Sequence, residues 1–224
     1  CPSGPSQSNG IVFSANAGFY RAVDGNIGLV AIDFRPSRPI CRPFGRAVSP
    51  RDTYDAGILA TDDGQHVLAA GSSNGIGGFE LLNADADSAS FGAPLQWWPR
   101  STGAVGVTRM FWDPDADGIV PGAQVWAMSS QLQRVDPTAP DQLLETIAAI
   151  GSPIALANRR FLLGTGGVLQ DLAAKSTYPI PHGHGSDLGF TADRRSLRFV
   201  LLVSNNTTNV RGYAVFEIDA APVE

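Results

Sequence analysis

Histidine, cysteine and methionine are scarce in this chain, with three, two and two residues among 224. A structural zinc site wants four ligands, thiolates often among them; His182, His184 and Asp187 offer three, and the remaining histidine, His66, sits on an unrelated strand-like segment. There is no surplus of basic charge. Sixteen Lys and Arg stand against 21 Asp and Glu, a net charge of −5. The basic residues are scattered, so neither a phosphate-tracking stripe nor a patch for anionic lipid is visible, and nucleic acid is not an expected partner. No apolar run approaches the roughly 18 to 20 residues of a spanning helix. Catalytic signatures are missing as well: no Gly-x-Ser-x-Gly elbow, no His-Glu-x-x-His pair and no Gly-x-x-x-x-Gly-Lys loop occurs. The glycine-rich stretches GSSNGIGG (71–78) and GTGG (164–167) lie between strand-like segments, where they read as turns.

What the chain does have is enough apolar residue, 43%, to bury a core as one domain or as an array of small repeats. Residues 61–85, TDDGQHVLAAGSSNGIGGFELLNAD, belong to a strand, an Asp-Gly turn, a second strand, a Gly/Ser/Asn loop and a third strand, FELLNAD. FGAPLQ (91–96) supplies a fourth strand, so the unit is a four-stranded meander. The same grammar recurs. The N-terminal copy, 11–34, closes on Ile32-Asp33 as 61–85 closes on Leu82-Asn83; 107–137 closes on Val135-Asp136, 152–173 on Asp171-Leu172, and 187–219 on Ile218-Asp219. DQLLETIAAI (141–150) shows a brief helical period, but it follows a closing pair, where an outer strand belongs. About five units at intervals of roughly 35 to 55 residues are the spacing of propeller blades. Stacking gives each meander the two covered faces it lacks alone, and strands covered on both faces need not alternate, as RFLLG (160–164) and FVLLV (199–203) do not. The expected fold is all-β: a β-propeller of four-stranded antiparallel blades over 11–224, preceded by a tether over 1–10.

The stretches 61–85 and 191–219 (TADRRSLRFVLLVSNNTTNVRGYAVFEID) resemble YVTN-type and lactonase-like β-propeller repeats, which pair a Pro-Asp-Gly turn with a strand ending in Ile/Phe-Asp. The chain departs from that pattern in lacking the proline before Asp62-Asp63-Gly64 and in carrying Arg194-Arg195 where the turn glycine falls. The resemblance implies a ring of about seven blades, of which five are visible, so the chain is a compact ring or part of a larger one. No catalytic residue of the lactonase-like family maps onto it by a local motif, so the activity is not carried over.

Several residues are candidates for a site. DPDADG (113–118) sets Asp113, Asp115 and Asp117 two apart before Gly118, so three carboxylates and the Ile119 carbonyl can converge on calcium. The loop resembles those of EF-hands and of integrin-like propeller blades, except that Gln124 stands where a closing acid is expected; a hairpin capped through Asx hydrogen bonds is the plainer reading. Three segments are expected on the connections at one end of the ring: Trp97-Trp98-Pro99-Arg100, His182 to Asp187 with His184, and Asn205 to Arg211 with Asn206. Adjacent tryptophans beside an arginine are residue types that dominate binding hot spots, while tryptophans packed between blades, and a solvated Gly-rich connection at the histidines, are the plainer alternatives. Finally, Cys1 followed by PSGPSQSNG resembles a processed bacterial lipoprotein, in which the cysteine carries the lipid. The alternative is a disulfide from Cys1 to Cys41. Either reading places the chain outside the cytoplasm, in the cell envelope (periplasmic) or the extracellular space. The expected function is a protein-binding or scaffolding propeller whose partner lies in an envelope or extracellular complex, touching a membrane only through a lipid on Cys1. A lactonase-like hydrolase with a site in a central channel and a lectin-like sugar binder are the alternatives.

Overall fold

The computed structural model describes residues 12–13, 17–21, 28–44, 53–61, 63–101, 106–107, 109–113, 125–128, 131–147, 153–157, 160–164, 168–179, 196–205 and 210–219. Among them all regular structure is strand. The first sheet holds β1 (Val12–Phe13), β2 (Ala17–Arg21), β3 (Leu29–Asp33) and β4 (Ile40–Phe44); the second holds β5 (Thr53–Ala60), β6 (His66–Ser73), β7 (Ile76–Asn83) and β8 (Pro94–Pro99). The third comprises β9 (Arg109–Trp112), β10 (Val125–Met128), β11 (Leu132–Val135) and β12 (Leu143–Ile147), and the fourth β13 (Pro153–Ala157), β14 (Phe161–Gly164), β15 (Val168–Asp171) and β16 (Ser176–Pro179). β17 (Ser196–Asn205) and β18 (Val210–Asp219) form a two-stranded sheet. Within each sheet the strands lie in chain order, and neighbouring strands of the first and second sheets pair antiparallel, as do β10 with β11, β13 to β16 in turn, and β17 with β18. The all-β expectation of four-stranded, propeller-type antiparallel blades therefore holds, and 141–150 contributes the outer strand β12.

The structure redraws three boundaries. GSSNGIGG is not a loop: β6 runs through Ser73, β7 starts at Ile76, and Ser73 pairs with Ile76 across the two-residue turn Asn74-Gly75. Both turn residues have positive φ, 53° and 81°, the backbone a type I′ hairpin demands and Asn-Gly supplies. The outer strand of the second sheet starts at Pro94 and runs on to Pro99, beyond the expected FGAPLQ. The first and fourth units each gain an outer strand after the closing pair, β4 and β16. In the last unit the first of three expected strands, over 187–195, lies outside the described residues.

Four of the five closing positions share a physical task. Asp33 Oδ1 accepts the Arg35 amide at 3.1 Å, Asn83 Oδ1 the Asp85 amide at 2.9 Å, Asp136 Oδ1 the Thr138 amide at 2.8 Å and Asp171 Oδ1 the Ala173 amide at 3.0 Å. In all four the side chain bonds the backbone two residues on, an Asx turn that ends the third strand and swings the chain toward the fourth.

The strands group into two compact units, Cys1–Met110 with Ala116–Thr146, and Phe111–Asp115 with Ile147–Glu224. In the first, Ala17, Phe19, Leu29, Ala31 and Phe44 of the first sheet bury with Ile58, Ala60, Val67, Ala69 and Leu82 of the second. The Phe44 ring lies 4.9 Å from Phe19 and 5.2 Å from Phe91. Full burial of one such phenylalanine or leucine stabilises by about 1.5–3 kcal/mol. Five consecutive residues of β6, Val67 to Gly71, are buried, so this strand is covered on both faces. In the second unit Leu162, Leu169 and Asp171 are buried, and β17 pairs with β18 from Ser196↔Asp219 to Asn205↔Val210.

β5 carries a bulge. Its pairing with β6 jumps from Tyr54↔Gly71 to Ile58↔Ala69, so Asp55, Ala56 and Gly57 oppose Ala70 alone. The Gly57 amide, turned out of the ladder, donates to the Val107 carbonyl at 3.0 Å. A Cβ at Gly57 would lie 2.9 Å from Met110 Cγ and still nearer the stiff Val107 side chain. Gly57→Ala is therefore expected to cost about 1–3 kcal/mol through overpacking. Urea denaturation reads this as a lower midpoint at unchanged slope; a wild-type midpoint would show that the neighbours yield freely.

Candidate functional site

The aromatic candidates sit on a strand, not on a connection. Trp97 and Trp98 lie in β8, where Trp98 pairs with Phe79, Trp97 with Glu80 and Pro99 with Gly78. Consecutive strand residues point to opposite faces and directly paired residues share one. Trp97 therefore shares the face of the buried Glu80 and Leu82, the latter in the cluster packed with the first sheet. Trp98 shares the other face with the buried Phe79. Both indoles are half-buried. They do not form one continuous aromatic surface, because the sheet runs between them.

Gly78 explains how Trp97 is seated. A Cβ there would fall on the Trp98 carbonyl and 2.9 Å from Cζ2 of the Trp97 ring. The absent side chain lets the indole lie on backbone. Arg100, expected beside the tryptophans as a recognition cation, is engaged otherwise. Its amide donates to the Gly77 carbonyl at 2.7 Å, and its Nε lies 3.9 Å from Asp141 Oδ1. The neighbouring Ser101 amide donates to both Asp141 oxygens at 2.9 Å. Arg100 and Ser101 thus tie the end of β8 to the turn that leads into β12.

The other candidates are dispersed. Asp113 is buried immediately after β9, while Asp115, Asp117 and Ile119 lie outside the described residues. So do Cys1, His182, His184, Asp187 and Asn206. Asn205 ends β17 and Arg211 lies in β18. Cys41 lies in β4 and is disulfide-bonded. His66 opens β6, as a strand residue, with Nδ1 3.9 Å from Asp63 Oδ2. Among the described residues no group of three or more His, Cys, Asp or Glu is arranged to hold a metal ion.

Sequence reasoning marked the closing aspartates but missed their arginines. Asp33 Oδ2 accepts from Arg35 Nη2 at 2.8 Å and Oδ1 from Arg35 Nε at 3.0 Å. The same guanidinium donates through Nη1 to Asp87 Oδ1 at 2.7 Å, joining the first sheet to the β7–β8 connection. Arg42 stands 3.9 Å from Asp33 Oδ2 and over the Phe91 ring at 5.9 Å. In the second unit Asp171 Oδ2 accepts from Arg160 Nε and Nη2 at 3.2 and 3.1 Å, and the same guanidinium lies 4.9 Å from the Phe161 ring centre. These carboxylates are filled by arginine and backbone donors, which suits them to holding the chain. The readable signal was Arg35 two residues after the closing Asp33; Arg160, eleven before Asp171, needs the β14–β15 pairing to come near.

The Arg35 hydrogen bonds, against the cost of burial, hold the Asp33 carboxyl at about 2, below its ordinary 3.8; Arg160 likewise lowers Asp171. A depressed carboxylate contributes stability above its unfolded pKa and loses it as pH falls through the folded one. Asp33→Asn keeps the shape and drops the charge, so it is expected to cost about 1–3 kcal/mol near pH 7. The gap to wild type should close as pH falls from 4 toward about 2. Urea midpoints measured across that range decide it; a gap independent of pH would mean that the charge contributes nothing.

No protein-family model matches the chain, and no curated protein does. Among solved structures the chain is similar to Hsv2 of Kluyveromyces lactis, at 10% identity and TM-score 0.44, covering 94% of this chain and 61% of that one. It is also similar to the β-propeller domain of Cps50 (Swd1) of Myceliophteria thermophila, at 16% and 0.49, covering 88% and 64%. A third similarity is to a 6-phosphogluconolactonase-like protein of Bacteroides fragilis, at 10% and 0.49, covering 94% and 70%. The chain spans less than two thirds of the length of the first two.

Proposed function

We propose that the chain is a propeller, or part of one, that works as a protein-binding scaffold outside the cytoplasm and presents the outer strands of its blades to a protein partner. The supporting observation is where apolar surface is left. Ile40 on β4, Leu95 on β8, Leu143 and Leu144 on β12 and Tyr178 on β16 are exposed, as are Phe34 just after β3 and Ile76 at the tip of the β6–β7 hairpin, while the body of the inner strand β6 is buried on both faces. Trp97 and Trp98 add two half-buried rings to β8, the type of anchor that carries binding energy once its remaining surface is covered. Arg100 serves this strand by holding its end near Asp141.

Trp97→Ala and Trp98→Ala are each expected to weaken capture of the partner at least about tenfold, or ~1.4 kcal/mol, while the far-ultraviolet circular dichroism stays native. Cross-linking mass spectrometry on wild type and variants measures this. Equal capture by the double variant would remove β8 from the interface.

The extracytoplasmic placement is supported by the disulfide at Cys41, a bond that persists in oxidising compartments. The chain has two cysteines, so that disulfide and a lipid on Cys1 compete for one thiol, and the cross-linked alternative gains support. Intact-mass analysis of native protein before and after reduction separates the outcomes. A cross-link between Cys1 and Cys41 is the expected result; a diacylglycerol adduct on Cys1 would restore the lipid tether, and two free thiols would overturn the placement altogether.

A further inference from the structure

Outer strands end their sheets with an unpaired row of backbone donors and acceptors, a template for any passing strand, and natural sheets guard such edges with proline, bulges, shortness or charge. This chain guards most of its edges visibly. β4 carries Pro43, which lacks an N–H, beside Arg42; β8 is bounded by Pro94 and Pro99; β16 ends in Pro179. At the opposite edges β1 has two residues, β5 is bulged and β13 begins with Pro153.

β12 is different. It is the end strand of its sheet, its sequence LLETI contains no proline, and all but its last residue are exposed. Leu143 and Leu144, consecutive and so on opposite faces, are 53% and 41% exposed. Its one charge does not guard it well, because Glu145 is drawn toward Arg134 of β11 at 3.3 Å. The turn before it is also held in place, since Asp141 is bonded to Ser101 and close to Arg100. The template is thus pre-set and continuous with the end of β8.

We infer that β12 takes up an extended segment of a partner protein as an added antiparallel strand, with apolar side chains over Leu143 and Leu144 and a basic residue opposite Glu145. An edge of backbone amides and carbonyls selects extended chain, and alternate side chains then set specificity. The charge follows from the strand itself. Glu145 keeps 44% of its side chain exposed and Asp141 45%, so a cation across from them is favoured and an anion opposed. A second copy of the chain is a poorer occupant, because two-fold pairing centred on β12 would set Glu145 against Glu145. This inference rests on the protein-binding reading above and names the chemistry of its partner.

The probe is a capped peptide of about ten residues, a strand-length segment, built on the repeat Lys-Val-Val-Thr, so that adjacent valines fall opposite Leu144 and Leu143 and a lysine opposite Glu145; a version with Glu for Lys and one with Pro at alternate positions serve as controls. Hydrogen exchange followed by mass spectrometry should show slower exchange over residues 143–147 with the Lys peptide, a weaker effect with the Glu peptide and none with the Pro peptide. Leu144→Lys and Thr146→Pro, which install a basic charge and a proline like those of β4, should each abolish protection without changing the thermal midpoint. Gln96→Lys on β8 should leave it intact. Unchanged exchange over 143–147, or equal binding by both β12 variants, overturns the inference, as does self-association that Leu144→Lys abolishes. If β12 fails while the tryptophan variants still lose their partner, the scaffold reading survives without it; the converse result keeps β12 and removes β8.

Discussion

A four-stranded sheet with apolar residues on both sides has to be covered twice, and the arrangement of the described residues follows from that requirement. In the second sheet Val67 and Ala69 lie in the cluster shared with the first sheet, while Leu68, Ala70 and Phe79 are buried on the other side. Alanines recur where the first two sheets meet: Ala17, Ala31, Ala60, Ala69 and Ala84 belong to the shared cluster. Small side chains bring backbones close, and Phe19, Phe44 and Leu82 then fill the remaining volume. The main-chain bond from Gly57 to Val107 reflects the same closeness in another place, where a bulge sends a donor out of its own ladder.

The closing aspartates and asparagine show how a repeat survives in a sequence whose copies otherwise differ. An Asx turn needs one side-chain oxygen at one position and leaves the rest of the unit free. Asp33, Asn83, Asp136 and Asp171 keep it, although the residues around them have little in common. Where burial is deepest, at Asp33 and Asp171, an arginine completes the carboxylate, and in each case the guanidinium also serves a second contact, Asp87 or Phe161. A buried charge is tolerable only when its acceptors are filled.

That economy explains what could be read from residues alone. Strand order and closing positions were legible because turn chemistry is local: Asn74-Gly75 determines a hairpin whatever surrounds it, even though its glycine-rich flanks looked like loop. The outer strands were less so. β4 and β16 contain proline, arginine or tyrosine with no alternation, and only their pairing with β3 and β15 identifies them. The tryptophans were found as residues and misplaced as geometry, since WWP beside Arg100 carries turn-like and recognition-like features, while the bond from the Arg100 amide to Gly77 that extends the ladder is a long-range fact. The calcium loop and the histidine segment were proposed from spacing, and of these Asp113 alone falls among the described residues.

One detail of the second sheet bears on how the molecule avoids misassembly. Side chains along a strand change sides with every residue, so sliding β8 along β7 by a single position would exchange the environments of two neighbouring indoles. Slid toward Phe79, it would also bring the indole now resting on Gly78 up against a phenylalanine. A bare patch of main chain in one strand and a broad ring in the next thus act as a notch and its fitting, and the offset between them is chosen by shape before any hydrogen bond is counted.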